Sequence, residues 1–359
     1  MQWKKRDAAE SLLKEGLEGL PDNIRAKLIL ADFLANQRSF GAAESALTSF
    51  VAEAPDQFAL RFALAELFRR EDKLSRAIEV ITVAVAHGSE DSATKLGAMA
   101  VLASLYFADG QLPEAKSTVN KVLESEPMNP QGLLLRSRIQ LKEGALDEAI
   151  ASLRTVLRGA PQSVVALGLL SRAFLQSNRS ELATDTLTQL LDIAPGNLAV
   201  RVQLAQIVAS RGQFETALAH VNDALERSAN YVPALATKAD PLVGLGRLDQ
   251  AKEVAAKIGG LPKGDIVALK LEGRIARAGG KPEEALEAFK KIRELDSDDW
   301  LAVNGIVQSF SGLKDLDGAE ALLRDVVDKE PDHQRAWMRL GDVYRVQQNG
   351  GSSTYGKLV

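Results

Sequence analysis

The sequence predicts an all-α fold built as a tandem array of helix pairs, and three recurrences carry that prediction. Alanine returns at Ala9, Ala43, Ala77, Ala115, Ala149, Ala183, Ala217, Ala251, Ala285 and Ala319, in steps of 34 residues apart from one of 38. Glycine stands five residues ahead of five of them, at Gly110, Gly144, Gly212, Gly246 and Gly280. Proline stands twelve residues behind six, at Pro21, Pro55, Pro127, Pro161, Pro195 and Pro331. A sustained period of this length marks repeated units, each burying its apolar side only against its neighbours.

One unit, Met128 to Pro161, shows how each element arises. Leu133, Leu134, Ile139 and Leu141 fall at helical spacing and predict a first helix; Gly144 breaks it. Leu146, Ala149, Ile150, Leu153, Val156 and Leu157 then predict a second helix. The glycine supplies the positive φ of a tight inter-helix turn, and the proline is expected to begin the next helix, where its missing N–H costs nothing. The alanine marks where two helices cross closely, since a larger side chain there would overpack by about 1–3 kcal/mol.

Composition narrows what such an array can do. Only 5% of the residues are aromatic, which suits many small helical contacts. Lys plus Arg number 44 against 48 Asp plus Glu, so the net charge of -4 offers no general attraction to nucleic acid or anionic lipid. With no cysteine there are no disulfides, thiolate metal sites or cysteine nucleophiles. No apolar run approaches the roughly 18 residues of a membrane span. After the basic start, Asp7, Glu10, Lys14 and Glu15 stand where a signal peptide needs an apolar stretch, so the chain as it stands reads as cytoplasmic.

Catalytic and cofactor motifs are not found. His87, His220 and His333 lie more than a hundred residues apart, without the spacing of paired zinc ligands. The GGSSTYGK stretch near the end resembles a phosphate loop in composition alone, with no strand before it. Acidic residues such as Asp147 and Glu148, or Glu283 and Glu284, sit at helix starts, where they complement the helix dipole. The expectation is a protein that is not an enzyme and carries no cofactor or metal.

On these residues the chain resembles the tetratricopeptide repeat (TPR) family. Trp337, Leu340, Gly341 and Tyr344 make the clearest copy of that family's first helix; Met99, Leu102, Ala103 and Tyr106, with Ala115, Val119 and Pro127, make a looser one. The resemblance implies a right-handed superhelix, an α-α solenoid of about nine full repeats with a half repeat at each end. Residues 1–20 are expected to form a lone second helix, 21–331 nine repeats, 332–348 a lone first helix, and 349–359 a flexible tail. The full repeats begin near Asp22, Asp56, Thr94, Met128, Gln162, Gly196, Asn230, Gly264 and Asp298. Two irregularities stand out: four extra residues near 90–93, and the repeat at 230–263, where Pro241 inside the first helix and Lys238 in place of the usual leucine predict a kink or loosening. A further departure is expected at Ile258–Asp265. Neither end reads as a polar cap, which predicts a piece of a longer array; an exported parent would place it in the periplasm, and bare ends would invite self-association.

By the same resemblance, the first helices line a concave groove that binds a protein or peptide. Carried over position by position, the groove residues are Phe62, Arg69, Phe107, Leu134, Arg138, Leu141, Lys142, Arg172, Leu175, Gln176, Lys270 and Arg274. Apolar anchors mixed with cations suit an extended or helical partner segment bearing acidic groups, held by arginine forks. Asp32, Glu66 and Arg70 make the charge mixed toward the N-terminus, and Lys270, Arg274 and Arg277 form a second basic cluster. The family's chaperone-tail clamp needs asparagines where this chain has Asp32, Glu66, Ser104, Arg138, Arg172 and Gln206, so that subtype is not expected. In style the degenerate repeats are similar to long bacterial TPR arrays that accompany exopolysaccharide export, including the TPR lipoprotein of the exosortase (PEP-CTERM) system. The alternative reading is a helical-repeat RNA or single-stranded nucleic-acid binder using Arg138, Arg172 and Arg274, against which the net charge of -4 counts.

Overall fold

The computed structural model of the chain describes residues 2–87 and 93–348. Of the extra residues expected near 90–93 only Ala93 is described, and the expected tail at 349–359 lies outside the described residues. Twenty α-helices and no strand occur among the described residues: α1 (Gln2–Glu18), α2 (Ile24–Gln37), α3 (Phe40–Glu53), α4 (Phe58–Arg70), α5 (Leu74–His87), α6 (Ala93–Ala108), α7 (Leu112–Ser125), α8 (Pro130–Glu143), α9 (Leu146–Gly159), α10 (Val164–Gln176), α11 (Ser180–Ile193), α12 (Leu198–Ser210), α13 (Phe214–Arg227), α14 (Val232–Gly244), α15 (Leu248–Gly259), α16 (Asp265–Ala278), α17 (Pro282–Leu295), α18 (Trp300–Leu313), α19 (Leu316–Lys329) and α20 (Gln334–Gln348). The chain divides into two compact units, Met1–Thr186 and Leu187–Val359, with the boundary inside α11.

The recurring alanines do what close crossings require. Ala43, Ala77, Ala115, Ala149, Ala183, Ala217, Ala251, Ala285 and Ala319 are each 0% exposed; Ala9, in the first helix, is half-buried. Around them pack the leucine, isoleucine and valine residues of each helix pair, such as Leu133, Ile139 and Leu153 in α8 and α9. The recurring glycines take the expected left-handed backbone, with φ between 69° and 81°. Asp72, Asn178 and Lys314 occupy the same position in other units and adopt it too, at φ 56° to 61°. The turn geometry is therefore imposed by the stack rather than by glycine.

The prolines act one step earlier than expected. Rather than opening a helix, Pro161 occupies the second place of a four-residue turn in which the Ser163 N–H donates to the Ala160 carbonyl. Pro21, Pro55, Pro127, Pro195 and Pro331 sit in the same place in their own turns, closed by Asn23, Gln57, Asn129, Asn197 and His333. Fixed φ suits that place in a turn. The residue closing the turn then becomes the helix N-cap: Asn23, Asn129, Ser163 and Asn197 each accept the N–H three residues on. The prolines within the first helical turn are different ones, Pro113, Pro130, Pro233 and Pro282.

Pro241 does not break its helix. It is buried in the last turns of α14, which continues to Gly244, and the Leu245 N–H closes back on the Pro241 carbonyl. Around Ile258–Asp265 the pattern changes instead. There α15 stops after 12 residues, where α13 and α17 each run for 14, and any side chain on Gly264 would collide with the Ile258 carbonyl.

Candidate functional site

Within each unit, the even-numbered helices form the row that brings second neighbours together: α2 with α4, α6 with α8 and α8 with α10 in the first unit, and α12, α14, α16 and α18 in succession in the second. Rods that touch their second neighbours lie on the inside of a bend, so this row lines the concave side of each unit. One of its positions recurs with the repeat: Asp32, Glu66, Ser104, Arg138 and Arg172 in the first unit, and Gln206, Asp240, Arg274 and Gln308 in the second.

In the first unit the predicted residues of α6, α8 and α10 lie on three successive helices of this row, α6 against α8 and α8 against α10. Arg138 and Arg172 are exposed and have no carboxylate partner among the described residues. Beside them Leu134 and Leu175 are half-buried, Gln176 is exposed, and the Lys142 ammonium stands 5.7 Å from the centre of the Phe107 ring. That geometry keeps a cation over an aromatic face, at the edge of the contact range. Leu141 departs from the expectation: it is 7% exposed and belongs to the core, because α8 turns that side toward its neighbours. Phe62 is half-buried and packs against the core of the first unit.

Other predicted cations are already engaged. Arg69 donates from Nε and Nη2 to Glu66 at 2.6 and 2.7 Å, and Arg70 adds a bond at 3.3 Å. The hydrogen bond from Arg69 is the main reason that the Glu66 carboxyl is held below its ordinary range, while partial burial opposes it. This acid–arginine cluster borders a cleft of about 230 Å³ between α2 and α4, lined by Leu28, Asp32, Ala63, Glu66 and Arg70. In the second unit Lys270 meets Asp299 at 2.5 Å, and Arg274 hydrogen-bonds Asp240. Burial penalises charge on Asp299, but the bond from Lys270 and the N–H groups of Ala302 and Leu301 outweigh it and hold the carboxyl low. Of the expected second basic cluster, Lys270 and Arg274 thus meet acids of the chain, whereas Arg277 has no such partner among the described residues; burial first, and then the charge of Arg277, lower the Arg274 pKa. A cleft of about 270 Å³ lies there between α14 and α16, lined by Asp240, Val243, Leu271, Arg274 and Arg277.

Asp240 and Asp299 were not among the residues singled out from sequence. Asp299 had no signal, since it doubles as the N-cap of α18. Asp240 did have one: it precedes Arg274 by 34 residues and so shares its place in the repeat. Among the described residues no group of three or more His, Asp or Glu side chains is placed to share a metal ion, and no helix is long and apolar enough to cross a membrane.

Paired helices in a constant register, with side chains from successive first helices sharing one face, define a helical-repeat protein of the interaction class. Sequence profiles described as tetratricopeptide repeat match residues 30–92 and 101–164, and again 140–196 and 276–343, between them more than half of the chain. The chain belongs to the tetratricopeptide repeat family, whose members generally mediate protein–protein interaction. No curated protein matches it in sequence. Among solved structures it is similar to a tetratricopeptide repeat protein from Parabacteroides merdae, at 17% identity and a TM-score of 0.55 over 70% of this chain and 97% of that one. The C-terminal part of a TPR repeat-containing protein from Cytophaga hutchinsonii gives 16% identity and 0.51 over 68% and 99%. PilW, a type IV pilus biogenesis factor, gives 21% and 0.50 over 58% and 96%. At these identities the likeness is one of fold.

Proposed function

We propose that the first unit captures an acidic segment of a partner protein on the face made by α6, α8 and α10, and that the protein works as a scaffold with no chemistry of its own. One observation carries this reading: two exposed guanidiniums, Arg138 and Arg172, stand at the same position of adjacent concave-side helices with no acid of the chain beside them among the described residues. Arginine forks suit carboxylates, and the half-buried Leu134 and Leu175 add apolar contact for the same segment. Membership of a family of interaction modules supports it. The style of the repeats, similar to arrays that accompany exopolysaccharide export, makes a bacterial envelope or polysaccharide-secretion assembly the first place to seek the partner.

The test is a double variant, Arg138→Glu with Arg172→Glu, in a capture assay against the native partner. Helicity by circular dichroism should be unchanged and capture lost. Unchanged capture would refute the assignment. A nucleic-acid role is the competing reading; of its three arginines Arg274 hydrogen-bonds Asp240, and the net charge of -4 counts against it. Tight single-stranded RNA binding that weakens steeply between two salt concentrations would overturn the preference for protein.

A further inference from the structure

On the side of the second unit opposite its concave row, α15 and α17 flank a cleft of about 560 Å³ whose floor is α16. That volume is within the range of about 300–1,000 Å³ typical of ligand pockets. Glu272, Ile275 and Ala276 line it from α16, and at 3.6 residues per turn they lie across that helix from Lys270, Arg274 and Arg277. Two of them depart from the repeat. In its register the place of Ala276 holds a ring in five other first helices, Phe68, Tyr106, Phe174, Phe310 and Tyr344, and a residue larger than alanine in the rest. One turn earlier, Glu272 stands where Leu170, Leu204, Ile306 and Leu340 are buried. The walls repeat the theme: Ala256 from α15 and Ala288 from α17 face the cleft with methyl groups. The next cleft along, about 520 Å³ between α17 and α19, differs on its floor, where Ile306 and Phe310 supply an aliphatic chain and a ring from within.

The polar groups around the cleft of α16 select what can enter it. Glu284 is bonded to Lys281 at 2.5 Å, and Glu287 lies 4.0 Å from Lys290. Glu272 has no hydrogen-bond or ion-pair partner among the described residues, and Lys252 and Lys291 have no described carboxylate within ion-pair distance. A cationic ligand would meet the two lysines, and an anionic one would meet Glu272. A ring that carries a hydrogen-bond donor suits both, because a carboxylate accepts N–H or O–H and an ammonium is attracted to an aromatic face. We infer that this cleft docks a tryptophan or tyrosine of a partner segment, its ring laid against Ala256, Ala276 and Ala288 where other repeats place a ring of their own, and its N–H or O–H donated to Glu272. Such side chains join an apolar body to a polar tip, which is the division the cleft presents. The inference does not rest on the function proposed above, which concerns the first unit.

The experiment titrates the full chain into Gly/Ser peptides with one central Trp, Tyr, Phe, Leu or Arg, each carrying the same fluorophore and read by anisotropy. The Trp and Tyr peptides should bind about tenfold more tightly than the Phe and Leu peptides, the margin of one hydrogen bond to a charged acceptor. Glu272→Leu, which restores the residue other repeats carry, should erase that margin and leave the weaker apolar binding. Ala276→Phe, which returns a ring to the floor, should abolish binding with helicity by circular dichroism unchanged. Where that variant fails to fold, Ala256→Phe closes the same cleft from an exposed position and should abolish binding in its place. Ala321→Phe, which fills the neighbouring cleft instead, should change nothing. Equal affinity for the Leu and Trp peptides, a margin that survives Glu272→Leu, or a preference for the Arg peptide overturns the assignment of an aromatic donor. Binding lost in Ala321→Phe but kept in Ala276→Phe moves the site to the neighbouring cleft and overturns it as well. Dimerisation of the chain that Ala276→Phe reverses would make a second copy the occupant, against the inference. If none of the peptides binds, the inference fails.

Discussion

Lys314 offers a direct test of the claim that the stack, and not glycine, imposes the inter-helix turn. It caps α18 with φ 61° and ψ 22°, where five other repeats place glycine. A left-handed backbone costs a residue with a Cβ about 1–2 kcal/mol, while glycine gives back about 0.5–1 kcal/mol through the greater freedom it loses on folding. Lys314→Gly should therefore be more stable than Lys314→Ala by about 0.5–1 kcal/mol, since both lose the same charge at the helix C-terminus and differ only in the Cβ. At about 2–4 °C per kcal/mol for a unit of this size, the separation in melting temperature is about 1–4 °C. The reciprocal change, Gly144→Ala, meets no atom within 4 Å and so isolates the same backbone cost with the opposite sign. Urea and thermal unfolding of the three variants measure it. If Lys314→Ala proved at least as stable as Lys314→Gly, or Gly144→Ala proved neutral, the reasoning would be refuted.

Two further outcomes follow from packing and charge. Gly273 and Gly305 grip the Phe289 ring from two successive concave-side helices, and a Cβ would come within 2.7 and 2.6 Å of it, so Gly305→Ala should destabilise by about 1–3 kcal/mol and Phe289→Leu should relieve part of that loss in the double variant; additive effects would contradict the contact. Burial lowers the His220 pKa from its ordinary 6.5, with Arg201 adding to the effect and Asp223 opposing it. The unfolded chain then binds the proton more readily than the folded one, so stability should fall as pH drops through 6.5 toward the lowered value. In His220→Gln that share of the pH dependence should vanish, and urea midpoints at two pH values on either side of the window check it.

Much of the fold was legible because the crossings leave a fixed trace: a residue that must be no larger than alanine recurs wherever two helices touch, and nine such alanines are fully buried. The glycines were legible for the same kind of reason, a backbone angle. Proline was harder to place, since a turn position and a helix start both tolerate it and differ only in which N–H is spare; the bond from Ser163 to Ala160 decides between them. The site was less legible than the fold. Register placed Arg138 and Arg172 on neighbouring concave-side helices, but whether a cation is free depends on partners far away in sequence, such as Asp299 for Lys270. Leu141 shows the other limit, because positions three or four apart on a helix share a face only to within about 40–60° of rotation, and that offset separates core from surface.

The joint at Ala160–Ser163 contains within four residues its own bend, its closing hydrogen bond and the cap of the rod that follows. Orders for assembly are thus local, so the polypeptide can nucleate at any hinge and spread outward without waiting for distant pieces to meet. Lengthening or shortening such a chain by a whole 34-residue module would leave every remaining hinge intact, which makes duplication and loss the natural way for it to change its reach.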